Sequence, residues 1–219
     1  MKKFHIFVEG DADIKFLHDY IENEFDVSLN AQKNSKGGIK TLNCMQSTNG
    51  WTVLKSEAGN TFREKMRENT SNGINNLVIF DADTSNNEGG FDNRKNEIEA
   101  WKTEYSLNFE LFLFPNNKDD GALEDLLESI INPQNKPILN CWKNFEDCLQ
   151  TKTTCTKNPL TIPAKKSKIY AYVEVLHGET LSEKDKVKDP NRDFKNTQHW
   201  DLTAKAIEPL KEFLRSHLL

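Results

Sequence analysis

Short apolar runs alternate with helical apolar patterns along the first part of the chain. Three runs are typical of buried strands because they are continuous, apolar and end at polar or glycine residues: "FHIFV", "LVIF" and "FELFLF". Each run is followed by apolar residues at helical spacing, namely Ile14, Leu17, Ile21 and Phe25, then Ile98, Trp101 and Tyr105, then Leu123, Leu126, Leu127 and Ile130. The alternation predicts an α/β fold with a mostly parallel sheet flanked by helices.

The pattern becomes less regular in the last third of the chain. After Pro133 a helix is expected over "ILNCWKNFEDCLQ", and the charged, proline-interrupted stretch 178–196 is expected to be a mobile loop. We therefore predict an α/β domain over residues 1–133. A helical or mixed C-terminal extension over 134–219 is expected to pack on it, and one continuous domain is the alternative.

Composition and charge narrow the classes of protein that fit. Apolar residues make up 36% of the chain and charged residues 29%, with a formal net charge of −5. That net charge argues against binding nucleic acid through the overall electrostatic field of the protein, although it is compatible with a local basic patch.

The first apolar stretch ends at Val8, too early for a signal peptide or a membrane span, and the four cysteines form no CxxC pair. We expect a cytoplasmic protein with no membrane association.

Acidic residues follow each of the three predicted strands, in "VEGDAD", "FDADT" and "NNKDDGALED". Loops at the carboxyl ends of parallel strands converge, so Glu9, Asp81 and Asp83 share one corner if their strands are neighbours. Two carboxylates about 4 Å apart repel by roughly 4 kcal/mol at an effective dielectric near 20, and a divalent cation removes that cost. Oxygen ligands without histidine or cysteine favour Mg²⁺ or Mn²⁺.

Each of these acids also has an ordinary structural interpretation. Aspartates are common turn residues, so a DxD after a strand is a weak signal of metal binding when taken alone. Asp11 or Asp13 lies in the first turn of a predicted helix, where a carboxylate caps the helix and interacts favourably with its dipole. Asp120, directly before Gly121, is the strongest candidate outside the main set. The combination of acids is more specific than any single one.

The order of these motifs resembles the Toprim domain shared by topoisomerases, primases and the overcoming-lysogenization-defect nucleases. A glutamate closes the first strand in "FVEG", and a DxD closes a later one in "VIFDAD". The forms "EGDAD" and "DGALEDLL" are most similar to small stand-alone Toprim-like proteins related to those nucleases, many of them uncharacterised bacterial proteins. The resemblance covers roughly residues 3–131. It implies a Mg²⁺- or Mn²⁺-dependent phosphoryl-transfer enzyme, most readily a nuclease that cleaves DNA or RNA phosphodiesters.

The resemblance also implies roles for individual residues. The positions that match the family's metal ligands are Glu9, Asp13, Asp81, Asp83 and Glu124. Glu9 matches a glutamate that serves as a metal ligand or as a general acid and base.

A lysine cluster in "AKKSKIYAYVE" resembles the family more loosely. The match implies that Lys166 and Lys168 approach the scissile phosphate, and a solvated lysine face is the alternative. The full-length nucleases carry an ATPase domain that this sequence lacks. Any activity is therefore expected to be ATP-independent or to depend on a protein partner that supplies the ATPase.

Two further functions fit the same residues. "VIFDADTS" nearly matches the motif of haloacid-dehalogenase phosphatases, in which the first aspartate, here Asp81, is a nucleophile. That motif normally lies on the first strand, whereas here it follows a complete strand–helix unit. The other alternative is a non-catalytic module that keeps the acidic corner and serves in binding or assembly.

Overall fold

The computed structural model describes residues 2–33, 35, 38–87, 89–155, 157–177 and 180–219. Its strands are β1 (Phe4–Val8), β2 (Gln32–Lys33), β3 (Ile39–Thr41), β4 (Met45–Ser47), β5 (Asn75–Asp81) and β6 (Glu110–Phe114). Its α-helices are α1 (Asp11–Phe25), α2 (Trp51–Lys55), α3 (Asn60–Ser71), α4 (Phe91–Glu104), α5 (Leu123–Ser129), α6 (Lys136–Gln150), α7 (Lys165–Leu176), α8 (Leu181–Lys184) and α9 (Glu208–Leu218). Within these ranges, no helix combines the length and the apolar character needed to cross a bilayer.

Four strands form a parallel sheet in the order β4–β1–β5–β6. Val8 of β1 lies opposite Ser47 on one side and Ile79 on the other, and Asp81 of β5 lies opposite Phe114. Strands β2 and β3 form a separate antiparallel pair. The predicted α/β fold, with a mostly parallel sheet flanked by helices, is confirmed. Because β1 and β5 are neighbours, the residues that follow them meet at the same edge of the sheet.

Alternate residues of the central strands point into two apolar cores, one on each face of the sheet. Ile6 and Val8 of β1 belong to the core beneath α1, α5 and α9. Phe7 belongs to the other core, with Val78 and Phe80 beneath α3 and α4. All five side chains are fully shielded from solvent. Burial on both faces explains why these strands are continuous apolar runs rather than alternating ones.

The C-terminal segment 134–219 shares the core that covers α1. The ring of Phe194 packs at 5.3 Å from that of Phe16 in α1 and at 5.3 Å from that of Trp200. Leu210 and Leu214 of α9 are fully buried in the same cluster. The segment therefore packs on the sheet through a common apolar core, and a domain boundary after residue 133 stays a prediction.

Part of the stretch 178–196, expected to be a mobile loop, has regular structure. Residues 178 and 179 lie outside the described residues, but helix α8 follows, and Val187 and Phe194 are buried. The loop prediction is wrong for this part. Its few apolar residues are too widely spaced among charged ones to form a periodic pattern, and their burial depends on contacts with α1 and α7.

The contribution of the C-terminal segment to this core can be measured by replacing Trp200 with alanine. Trp200 is 1% exposed, and its ring packs at 5.4 Å from that of Tyr172. We expect the free energy of unfolding to fall by about 3–5 kcal/mol, measured by urea denaturation followed by circular dichroism. Trp142 on α6, a helix with no fully buried residue, is the matched control, for which a loss below about 1.5 kcal/mol is expected. Equal losses would mean that the segment adds little to the core.

Candidate functional site

Four carboxylates lie together at the carboxyl edge of the sheet. Glu9 follows β1, Asp81 ends β5, and Asp13 and Glu124 lie in the first turns of α1 and α5. All four line an open cleft of about 510 Å³. The cleft is completed by Asn49 and Gly50 after β4, by Pro190, and by Lys166 at the start of α7. Three strand ends and the starts of three helices, α1, α5 and α7, thus contribute to one cavity.

Backbone N–H groups hold Glu9 and Asp81 in place. The N–H of Asp81 donates to Oε1 of Glu9 at 3.2 Å, because β1 and β5 are adjacent and in register. Oδ1 of Asp81 accepts from the N–H of Leu123, the first residue of α5, at 2.9 Å. The hydroxyl of Ser47 donates to the main-chain oxygen of Glu9 at 2.9 Å. Neighbouring strands and one helix start therefore fix the two carboxylates side by side.

Asp13 combines a structural role with a place in the cleft. Its Oδ2 accepts from the N–H of Gly10 at 2.7 Å, which satisfies one of the unpaired donors at the start of α1. The side chain is nevertheless only 7% exposed and lies beside the other acids of the cleft. The capping interpretation of Asp13 is confirmed, and its role as a metal ligand stays a prediction.

Burial and mutual repulsion raise the pKa values of three of these acids. Burial raises the pKa of Glu9 to about 7, and the negative charge of Asp83 adds to the shift. Burial, with the charges of Glu9 and Glu124, raises the pKa of Asp13 to about 7. Burial also raises the pKa of Asp81 well above its usual range, with further contributions from Asp13, Glu9 and Glu124. The cleft therefore favours an added proton or cation near neutral pH.

Asp83, predicted as the partner of Asp81 in a metal-binding pair, has a different neighbour. Its Oδ2 accepts from Nη2 of Arg94 at 2.8 Å, and its main-chain N–H and oxygen bond to Gly121 at 2.7 and 2.8 Å. Its φ of 59° turns the chain sharply, and Gly89 packs so closely that a Cβ there would lie 2.4 Å from the Cβ of Asp83. Asp83 does not line the cleft with Asp81. Its role as a metal ligand stays a prediction.

Arg94 is the functional candidate that the sequence analysis missed. It lies on α4, is only 8% exposed, and pairs with both Asp83 and Glu97, the latter at 3.1 Å. Oε2 of Glu97 also accepts from the indole N–H of Trp51 at 3.1 Å. The sequence carried a usable signal, because Arg94 precedes Ile98 by four residues and therefore lies on the buried face of its helix. A buried arginine requires an acidic partner.

The lysine cluster divides between two sides of α7. Lys166 lines the cleft, whereas Lys168 lies outside it and its Nζ pairs with Oε2 of Glu128 at 3.1 Å. Two residues along an α-helix differ by about 200° in direction, so both side chains cannot face the same cavity. Lys165 pairs with Oδ1 of Asp125 at 2.5 Å. The prediction that Lys168 approaches the cleft is therefore corrected, and Lys166 keeps its candidate role.

Asp120, the strongest candidate outside the main set, has a structural role. Its Oδ1 accepts from the N–H of Phe91, the first residue of α4, at 2.7 Å. It lies with Asp119 and Asp125 at a different surface cavity, so it is not part of the acidic cleft.

The donor set of the cleft suits a hard cation, although the ligands are not preassembled around one. Glu9, Asp13, Asp81 and Glu124 offer only oxygen atoms, the type of donor that Mg²⁺ and Mn²⁺ prefer. Over the described part of the chain, no three His, Cys, Asp or Glu side chains are already arranged to hold an ion. Three of the four carboxylates are held by backbone N–H groups instead.

The raised pKa values predict how the stability of the metal-free protein depends on pH. A carboxyl group whose pKa is higher in the folded state than in the unfolded state makes the folded protein bind more protons. Stability should therefore fall as the pH rises from about 4 through about 7. Glu9 alone accounts for about 3 kcal/mol, at about 1.4 kcal/mol per pKa unit. Urea denaturation in EDTA across this range measures the effect.

The variant Asp81→Asn separates the effect of the cleft carboxylates on the free energy of unfolding from the effect of the other titrating groups. The amide oxygen can still accept from Leu123, but one negative charge is removed from the cluster. We expect the variant to become more stable than the natural protein as the pH rises through 7. The control Asp147→Asn changes an exposed acid paired with Lys143 and should show no such trend. Identical pH profiles for the natural protein and Asp81→Asn would contradict the repulsion argument.

The relationship of the chain to known proteins rests on a match along nearly its whole length. None of the curated proteins compared with the chain matches it. Among solved structures, a hypothetical protein from Pyrococcus horikoshii OT3 is similar, with 14% identity and a TM-score of 0.46 over 100% of this chain and 96% of that one. The family model described as "Protein of unknown function (DUF3226)" matches residues 3–219. The chain therefore belongs to the DUF3226 family.

Proposed function

We propose that the acidic cleft binds Mg²⁺ or Mn²⁺ and that the protein is a metal-dependent phosphoryl-transfer enzyme that cleaves nucleic-acid phosphodiesters. One observation carries the proposal: Glu9, Asp13, Asp81 and Glu124 come from four different elements and line one open cleft. Nothing in the fold requires four acids to lie together. Their convergence is costly to the metal-free protein, and a ligand of opposite charge would remove that cost.

Electrostatics supports a cation as the missing component. The three acids with raised pKa values shift mainly because of burial, and each also feels the negative charge of a neighbour. A divalent ion would lower these pKa values and release protons on binding. Glu9, Asp81 and Glu124 are half-buried and border the same open cleft, so a cation that enters the cleft would be within reach of all three side chains.

Several residues of the cleft suit chemistry at phosphorus. A bound cation would supply Lewis-acid stabilisation of the phosphoryl oxygens and activate a water molecule. Lys166 borders the same cavity, where its ammonium group would neutralise charge on a phosphate oxygen. Glu9 has a pKa of about 7 in the metal-free protein, and a bound ion would lower it, which favours Glu9 as a metal ligand or a general base.

Arg94 would act through Asp83 rather than on the substrate. Its guanidinium group is buried and pairs with Asp83, so it balances a charge that would otherwise add to the repulsion in the cleft. The ion pair also fixes the turn that follows β5, at the point where Asp81 enters the cleft. Arg94 is therefore a positioning residue in this proposal.

The position of Asp81 in the chain argues against a phosphatase in which Asp81 is the nucleophile. The motif of those phosphatases normally lies on the first strand, whereas Asp81 ends β5 and follows a complete strand–helix unit formed by β1 and α1. The motif order that resembles Toprim domains also supports the nuclease. A non-catalytic module would share the metal site, and the experiment below separates it from an enzyme.

The proposal is tested by incubating the protein with Mg²⁺ or Mn²⁺ and supercoiled plasmid, single-stranded DNA or RNA. We expect metal-dependent cleavage of at least one substrate, which EDTA abolishes. Glu9→Gln and Asp81→Asn should each reduce the rate at least about 100-fold, since each removes a carboxylate expected to bind the metal. The matched control Asp147→Asn, on exposed helix α6, should keep the full rate. Calorimetric titration with Mn²⁺ measures binding in the same variants.

The outcomes separate the three functions. Metal binding without cleavage of any substrate would favour the binding module. The absence of metal binding at millimolar concentrations would overturn the proposal altogether. Trapping of beryllium fluoride on Asp81 would favour the phosphatase.

A further inference from the structure

A second groove adjoins the acidic cleft and differs from it in charge. It lies between the first turns of α1 and the β3–β4 region and has a volume of about 400 Å³. Asp11 and Pro190 line both cavities, so the groove begins where the acidic cleft ends. A ligand with its reactive group in the cleft therefore has one neighbouring space into which its next part can extend.

The groove has an apolar floor. Leu42 and Met45 are almost fully buried beneath it, and Ile14 of α1 and Ile39 of β3 are half-buried at its sides. Such a floor accepts a flat, weakly polar ring by van der Waals contact. It offers no advantage to a compact, fully hydrated ion.

The rim of the groove is polar and carries hydrogen-bonding side chains. Asn43 and Gln46 are exposed and offer amide donors and acceptors, the groups that read the edges of nucleobases. Lys40 is exposed on the same rim. Lys15 also lines the groove, but its ammonium group is paired with Asp19 inside the protein. Lys40 is therefore the lysine of this groove whose charge faces solvent.

The size of the groove limits what it can hold. Pockets for small ligands usually measure about 300–1,000 Å³, so 400 Å³ suits one nucleotide rather than a duplex. The apolar floor can contact the face of a base, and the amide side chains can hydrogen-bond to its edge. The ammonium group of Lys40 can pair with a phosphate. The acidic cleft next to it has five acids and one lysine among its lining residues, so it cannot serve this purpose without a cation.

From these features we infer that the groove binds the nucleotide that flanks the scissile phosphate in a single-stranded nucleic acid. The base lies on the floor formed by Leu42 and Met45, Asn43 and Gln46 bond to its edge, and Lys40 pairs with the adjoining phosphate. This inference rests on the proposed function in assigning the acidic cleft to the scissile phosphate. It goes further in identifying the substrate as a polynucleotide strand rather than a small phosphate ester.

The first test measures binding without cleavage. In the Asp81→Asn background with EDTA, fluorescence anisotropy reports the affinity for fluorescein-labelled oligothymidylate at low salt. Lys40→Glu should weaken binding about tenfold, since it loses one charge-assisted phosphate contact. Lys40→Ala should reduce the slope of log affinity against log salt concentration by about 0.7. The control Lys143→Glu reverses the charge of another exposed lysine, on α6, and its affinity should stay within about twofold.

The second test compares two substrates in the otherwise natural protein. Bis(p-nitrophenyl) phosphate has no nucleobase edge for Asn43 and Gln46 and no adjoining phosphate for Lys40, whereas an oligonucleotide presents both. Lys40→Glu and the double variant Asn43→Ala/Gln46→Ala should raise KM for the oligonucleotide and leave hydrolysis of the small ester unchanged. The double variant should also lose any preference between oligothymidylate and oligodeoxyadenylate.

The results distinguish the groove from the proposed activity. Weaker binding by Lys40→Glu, with no hydrolysis by any variant, would support the groove and count against the nuclease. Metal-dependent hydrolysis with equal oligonucleotide affinity for Lys40→Glu and Lys143→Glu would overturn the groove alone. An equal loss on both substrates would also overturn it, because the variant would then disturb the cleft rather than a separate subsite.

Discussion

The repulsion between carboxylates at the carboxyl edge of the sheet is the interaction on which the other features of the site depend. Parallel pairing of β1 with β5 brings Glu9 against the N–H of Asp81, and the starts of α1 and α5 add Asp13 and Glu124. Water is partly excluded, so each charge acts on its neighbours more strongly than at an exposed surface. The raised pKa values follow from that geometry.

The protein limits this repulsion without removing it. Backbone N–H groups of Gly10, Asp81 and Leu123 each donate to one carboxylate of the cleft. Arg94 balances Asp83, and Glu97 in turn balances Arg94 and accepts from Trp51. Asp83 and Glu97 do not line the cleft, whereas Glu9, Asp13, Asp81 and Glu124 do. A folded protein that retains a cluster of partly buried acids at the edge of its sheet has a site suited to a cation.

The C-terminal segment connects the stability of the fold with the composition of the site. Its apolar side chains, including Phe194 and Trp200, complete the core that covers α1. The same segment supplies Lys166 and Pro190 to the rim of the cleft. Removing it would therefore expose the core and take away the cleft's lysine at the same time. Residues 134–219 therefore contribute both to the apolar core and to the lining of the cleft.

The apolar pattern of the sequence was sufficient to predict the α/β architecture and part of the acidic cluster. Continuous apolar runs are typical of strands buried on both faces of a sheet, and acids placed directly after such strands emerge at its edge. Glu9 and Asp81 were predicted in this way, whereas Asp13 and Glu124 were predicted from the resemblance in motif order. Local pattern was sufficient for Glu9 and Asp81 because each of these acids is positioned by its own strand.

Only the tertiary structure decided which charges are paired and which remain in the cleft. Asp83 pairs with an arginine eleven residues away, and Lys168 pairs with Glu128 forty residues away. The groove beside the cleft likewise combines residues of α1 with those of β3 and β4. Such pairings depend on how helices pack across the sheet and on the direction of each side chain. Hydrophobic periodicity records which face of an element is buried but carries no information about the partner that a charged side chain meets there.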